Sequence, residues 1–266
     1  MTILGPINAL LPKDSAARRT HQGIAYGPEA RHRMDVYAPK EHHGALPLVM
    51  FVYGGAWHDG LRAEYGFVGQ ALAAMGYVVV IPDYRLIPEV EYPKFLEDCA
   101  LAARHIGELA AQWGADPARI GLMGHSAGAY NALMLALDPD LAAMTGLSGR
   151  LRAVVGLSGP YDFFPFDGPI SLRTFGAVSE PERTQPISHV RQGLPPMYLG
   201  SGNRDRIVLP RNASALASRL RSCDVEVEEQ HFERLGHAGP LLSLALPLRW
   251  LAPVHAQVKE FLAKHM

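Results

Sequence analysis

Residues 120–137, IGLMGHSAGAYNALMLAL, decide the fold. An apolar, strand-like piece passes through Gly124-His125-Ser126-Ala127-Gly128 into a piece with helical spacing, and the corner residue is a serine with glycine two positions away on each side. So tight a turn drives its corner residue toward a sparsely allowed backbone conformation, and a Cβ two positions before or after would collide with neighbouring chain. The pattern predicts a Ser126 hydroxyl exposed at a strand end. The N-terminus of the following helix would then offer backbone N–H groups and positive dipole to a developing oxyanion. The bland alternative is a glycine-rich turn with no chemistry. What separates the two is whether the rest of the chain supplies a base, an acid and a second oxyanion donor.

The segments around the corner alternate between strand and helix. HRMDVYAP alternates in polarity and ends at Pro39; LPLVMFVYGG and YVVVIPDY are apolar, β-branched runs bounded by turn residues, as buried parallel strands are. Between them YGFVGQALAAMG has helical spacing and a closing Gly76, and YPKFLEDCALAARHIGELAAQWG is a longer helix closed by Gly114. Beyond the Ser126 helix come a strand in RAVVGLSG, an irregular stretch from Pro160 to Pro195, and a strand in PMYLGSG. A helix near Asn212 to Arg221, the strand VEVEEQHF and a last helix VHAQVKEFLAKH complete the chain. This order predicts an α/β fold with a mostly parallel central sheet covered by helices on both faces, where chemistry collects at the C-terminal strand ends.

Composition narrows the function classes. The 266 residues, 48% hydrophobic and 19% charged, suffice for one large domain, 1–266. A formal net charge of -1 leaves no electrostatic footprint for nucleic acid, and no basic run marks an anionic surface, so a small, neutral substrate is expected. Cys99 and Cys223 form neither a disulfide framework nor a metal spacing, no HExxH is present, and neither cofactor nor metal is expected. No stretch reaches the ~18 to 20 apolar residues of a membrane span. The N-terminal stretch lacks a basic region and is broken by Pro6 and Pro12, so the chain reads as cytoplasmic, a processed exported form being the alternative.

With the Ser126 corner, three further stretches, YGGAW, GNRDRIV and LGHAG, complete a resemblance. YGGAW at Tyr53–Trp57, GHSAG at Gly124–Gly128, and GNRDRIV with LGHAG resemble, in order, the oxyanion loop, nucleophile elbow, and acid and histidine loops of the α/β-hydrolase family. Within it, the similarity is to the carboxylesterases and lipases grouped around hormone-sensitive lipase, arylformamidase and prenylcysteine methylesterase. The resemblance implies an α/β-hydrolase fold and a triad in the chain order Ser126, Asp205, His237. It also implies that the Gly55 and Ala56 amides join that of Ala127 to hold an oxyanion. One position departs: where the family usually has histidine, this chain has Tyr53.

The residues themselves bear on these assignments. A serine hydroxyl needs a base within hydrogen-bond reach, and the base needs an orienting carboxylate. Asp205 sits on a turn just after PMYLGSG, and Asp162, which follows an earlier strand, is the weaker second candidate. His237, set between Gly236 and Gly239, can project across the sheet end, whereas His231 falls inside a strand and His125 reads as packing beside the nucleophile. The stretch 160–195 holds Tyr161, Phe163, Phe164, Phe166 and Phe175 among prolines and reads as a cap-like insertion walling a pocket. Trp57, Tyr161 and Phe163 are its expected substrate contacts. PLLSLALPLRWLAP, after His237, reads equally as a further wall or as core.

Together these readings predict a serine carboxylesterase acting on small uncharged esters through an acyl-enzyme. An arylformamidase-like hydrolase is the enzymatic alternative, and a catalytically silent hydrolase fold serving as a binding module is the alternative from another class.

Overall fold

The computed structural model describes residues 4–266, and its centre is one eight-stranded sheet. A short helix α1 (Leu4–Leu10) precedes β1 (Ala17–Ala25), β2 (Arg33–Pro39) and β3 (Leu46–Val52). Helix α2 (Gly66–Ala74), β4 (Val78–Pro82), α3 (Lys94–Leu109) and β5 (Ala115–His125) follow. After the Ser126 corner come α4 (Ala127–Leu137), α5 (Pro139–Thr145), β6 (Leu151–Leu157) and α6 (Pro169–Phe175). The remainder is β7 (Met197–Gly202), α7 (Arg211–Arg221), β8 (Val227–Phe232), α8 (Gly239–Leu242) and α9 (Val254–His265).

The strand order is β1-β2-β4-β3-β5-β6-β7-β8, with β2 antiparallel to both neighbours and every pairing from β4 to β8 parallel. Parallel strands β3 to β7 are apolar because helices bury both of their faces. Strand alternation shows this along β5. A Cβ on Gly121 would meet Met266 just beyond α9, whereas one on Gly124, three positions on and so on the opposite face, would meet Gly128 of α4. Helix α4 is buried along its whole length, which explains why its sequence is apolar all round.

Several elements differ from the sequence reading, the short helices α1, α5 and α8 among them. Strand β1, ARRTHQGIA, is absent from that reading. As the sheet's outer edge it is exposed at most positions, so it carries no burial periodicity to be read. The stretch 160–195, read as irregular, contains α6, begun by Pro169 at its first turn, and two single-turn 3-10 helices at Pro181–Thr184 and Pro186–His189. PLLSLALPLRWLAP supplies core: Leu241, Leu244 and Ala245 are buried.

The topology brings the four motifs to one edge. The turn after β3 begins at Tyr53, β5 ends at His125, Asp205 follows β7, and His237 follows β8, all at the C-terminal ends of parallel strands.

Candidate active site

Ser126 occupies the corner with φ 56° and ψ −125°, a left-handed conformation that a non-glycine residue adopts only under constraint. The constraint is backbone contact. A Cβ on Gly124 would lie 2.2 Å from the Gly128 carbonyl oxygen, and one on Gly128 would lie 2.1 Å from that of Val52, so only glycine lets β5, α4 and β3 come together here. The Ser126 amide donates to Leu157 O at 2.9 Å and ties the corner to β6.

The hydroxyl meets the two side chains expected of it. Ser126 Oγ lies 2.8 Å from His237 Nε2, and His237 Nδ1 lies 2.7 Å from Asp205 Oδ2. With Nδ1–H donating to the carboxylate, Nε2 presents its lone pair to the serine proton. Asp205 is buried, which by itself would raise its pKa. Hydrogen bonds from His237 and from the Val208 and Ile207 amides outweigh burial and hold the carboxyl below its ordinary value. Asp162 does not join this chain; its amide, like that of Tyr161, donates to Asn212 Oδ1.

His125 sits beside the triad. Its Nε2 lies 3.0 Å from the His237 carbonyl oxygen, which requires Nε2 to carry the proton. Burial and the nearby His237 ring push its pKa down to about 3, so the ring is neutral and clamps the histidine loop as a donor.

The turn Tyr53–Trp57 faces the elbow. Gly55 has φ 123°, and Ala56 and Trp57 follow at φ 53° and 62°. Three of the non-glycine residues with positive φ, Ala56, Trp57 and Ser126, therefore line one cavity. The Gly55 carbonyl turns away to accept from the His58 and Asp59 amides at 3.0 Å each. Among the described residues, none accepts from the amides of Gly55, Ala56 or Ala127.

The cavity has a volume of about 220 Å³ and is mainly apolar. Ala56, Trp57, Ser126 and Ala127 form one part of its lining, Pro160, Phe163 and residues 167–171 another, and Ile207 and Val208 a third. Trp57 and Phe163, two of the expected substrate contacts, line this cavity. Tyr161 does not: it is buried under the end of β6, its hydroxyl occupying the space that a Cβ on Gly156 or Gly159 would need. The sequence shows that an aromatic follows the strand, but not toward which side it turns. The contributions of Ile207 and Val208 went unread because they flank the acid as ordinary apolar residues. Asn131 also went unread, although it is the lone polar side chain after Tyr130 in an apolar helix. Its Oδ1 accepts from Trp57 Nε1 at 3.0 Å and fixes the indole.

Behind the turn, Tyr53 is fully buried and points away from the cavity. Its hydroxyl donates to Asp83 Oδ1 at 2.9 Å and accepts from Arg31 Nη2 at 2.9 Å, while its ring stacks on Tyr65 and Tyr84. Burial and the Asp83 carboxylate raise the phenol's pKa well above its ordinary value. Arg62 pairs with both Asp83 and Asp35, so the charges are mutually compensated.

Among the described residues, no three His, Cys, Asp or Glu side chains converge as a metal site, and no helix is long and apolar enough to cross a membrane.

The sheet order and the strand-to-helix elbow define an α/β-hydrolase fold. The family model of BD-FAE matches residues 34–220, and the chain belongs to that family, an α/β-hydrolase carboxylesterase family. It is 28% identical over 255 residues to a probable isoprenylcysteine alpha-carbonyl methylesterase of Arabidopsis thaliana, covering 86% of this chain and 52% of the relative. To a carboxylesterase of Mycobacterium tuberculosis it is 30% identical over 232 residues, covering 80% of this chain and 72% of the relative. The chain spans between 35% and 60% of the plant methylesterases it matches. A thermostable esterase from Pseudomonas putida shares the fold at a TM-score of 0.81 and 22% identity, covering 99% of this chain and 88% of the other.

Proposed function

We propose that the chain is a serine carboxylesterase that hydrolyses small uncharged carboxylic esters through an acyl-enzyme. The observation that carries this reading is the continuous pair of hydrogen bonds from Ser126 through His237 to Asp205, with Ser126 opening on an apolar cavity. His237 takes the Ser126 proton as Oγ attacks the ester carbonyl. The amides of Gly55, Ala56 and Ala127, which have no other acceptor among the described residues, receive the negative charge on the tetrahedral oxygen; such a donor is typically worth about 3 to 4 kcal/mol. His237 then protonates the departing alcohol and activates water for deacylation, while Asp205 holds its tautomer throughout.

Residues 160–195 act as a short cap on this hydrolase domain, with Trp57 and Phe163 in contact with substrate. A cavity of about 220 Å³ holds about seven groups of water size, which suits acyl chains of about two to six carbons. Two measurements test the reading. Ser126→Ala should lower kcat on p-nitrophenyl esters by on the order of 10⁴-fold while circular dichroism stays unchanged, and retention of a tenth of the rate would remove Ser126 from the role of nucleophile. Across a series of p-nitrophenyl esters, kcat/KM should peak at short acyl chains; a steady rise to long ones would refute the compact pocket.

A further inference from the structure

The loops that carry Asp205 and His237 have an outer surface that the chemistry leaves unused. Around Asp205 runs Arg204-Asp205-Arg206-Ile207-Val208-Leu209-Pro210-Arg211, in which Ile207 is 72% exposed and Leu209 is 47% exposed. Arg204, Arg206 and Arg211 are exposed beside them. Arg234 is exposed on the histidine loop, which the Arg204 amide joins by donating to Leu235 O at 2.9 Å. Among the described residues, none of these four guanidinium groups makes an ion pair or a side-chain hydrogen bond. The carboxylates on the two loops are Asp205, buried on His237, and the exposed Glu233. The cavity lined by Ile207 is also lined by Ile170, 44% exposed, and the exposed Asp167.

We propose that this rim, with Ile170, Ile207 and Leu209 fringed by Arg204, Arg206, Arg211 and Arg234, docks the protein on an anionic lipid surface with the cavity mouth facing the bilayer. Two features point to one occupant. Large aliphatic side chains projecting into water beside unpaired guanidiniums match a surface that is apolar within and negatively charged at its face. Arginine also suits that boundary, because its stem lies along apolar groups while its head stays at the headgroups. A small dissolved anion would leave Ile207 and Leu209 without a role. Docking itself does not depend on the proposed hydrolysis. Its consequence does: esters dissolved in the bilayer would reach Ser126 without crossing water.

The test is co-sedimentation of the full chain, wild type and Ser126→Ala, with vesicles of phosphatidylcholine alone or mixed equally with phosphatidylglycerol. Both proteins should bind the mixed vesicles and leave the neutral ones, and binding should fall steeply on raising salt to about 0.5 M, as screening shortens the reach of the arginines. Each of Arg206→Gln and Arg211→Gln should lower the partition coefficient about fivefold. Arg206→Lys and Arg211→Lys should restore it. Ile207→Ser with Leu209→Ser should weaken binding about tenfold or more without changing the salt slope. Arg211→Gln with Arg234→Gln should keep turnover of soluble p-nitrophenyl acetate within about twofold of wild type. Equal binding to neutral vesicles, no binding to mixed ones, or unchanged binding by the arginine variants would overturn the proposal. Unchanged binding after the Ile207 and Leu209 substitutions would also overturn it, pointing instead to the acidic face of a folded partner. Vesicle binding without any ester turnover would refute the hydrolase and leave the docking surface standing.

Discussion

The turn Tyr53–Trp57 has two sides built from opposite materials. On the cavity side stand Ala56 and Trp57 with positive φ, and the Gly55 and Ala56 amides, which no group among the described residues accepts, beside Ser126 on an apolar space. On the reverse side the Tyr53 phenol sits between Arg31 and Asp83, and Tyr84 donates its hydroxyl to the Tyr53 carbonyl at 2.9 Å. Asp83 also accepts from the Arg62 amide at 2.7 Å, and Arg31 reaches Gly60 O at 2.7 Å, closing the turn on itself. Donors of the kind proposed for the oxyanion must stay unpaired and strained, and a strained segment persists only when its surroundings over-determine it. The polar network behind supplies that determination. Chemistry and anchorage are therefore separable, and substitutions on the two sides should fail in different measurements.

The largest effects belong on the cavity side. Asp205→Asn removes the acceptor that fixes the His237 tautomer and should cost about 10³-fold or more in kcat, whereas Asp162→Asn, outside the hydrogen-bonded chain, should stay within about twofold. The reverse ranking in p-nitrophenyl ester kinetics would reassign the acid. Gly55→Val comes next. A Cβ there would lie 2.0 Å from the Asp59 carbonyl oxygen at a φ no branched residue adopts, so at least about a hundredfold loss in kcat/KM is expected in protein that still folds by circular dichroism.

Tyr53→Phe tests the reverse side and separates the two most sharply. It should lower kcat by less than about tenfold, since a phenol held protonated by burial and by Asp83 takes no part in proton transfer. The same substitution leaves Asp83 and Arg31 each one buried partner short and should reduce unfolding free energy by about 1 to 3 kcal/mol in urea titration. A thousandfold loss of rate at unchanged stability would join the two sides into one.

The smallest effect at neutral pH concerns His125, which lies against both the elbow and the histidine loop. Its folded-state pKa of about 3 is below the ordinary 6.5. The unfolded chain therefore binds a proton between those values that the folded chain does not, so stability falls on acidification through that window by up to about 1.4 kcal/mol per pH unit. Nothing is lost above pH 6.5 from this source. Urea titrations of wild type and His125→Asn should differ in slope between about pH 6 and 4, with the variant flatter.

The comparison also explains what could be read from the sequence. The cavity side was legible because its devices are local: a serine bracketed by glycines, a Gly-Gly pair after an apolar strand, and a histidine between glycines each announce a backbone constraint within a few residues. The reverse side was not, because Arg31, Tyr53 with Arg62, and Asp83 come from three separate connections and are joined only by the sheet order that sets β4 between β2 and β3. Read in sequence, Asp83 is only near the end of the apolar run YVVVIPDY. Tyr161 failed for a related reason: its hydroxyl packs back against Gly156 and Gly159, and no local pattern shows that its ring turns down beneath β6. Strand β1 was missed because an exposed edge needs no alternation of apolar residues.

The central claim is that Ser126 forms the covalent intermediate, and trapping that bond tests it most directly. An organophosphonate ester carrying a short alkyl group should inactivate the protein in step with incorporation of one adduct per chain, located on Ser126 by peptide mass spectrometry. His237→Ala should lose reactivity toward it, because the hydroxyl without its base is a poor nucleophile. An adduct on any other residue accompanying the loss of activity, or full ester turnover by chains completely modified at Ser126, would contradict the account.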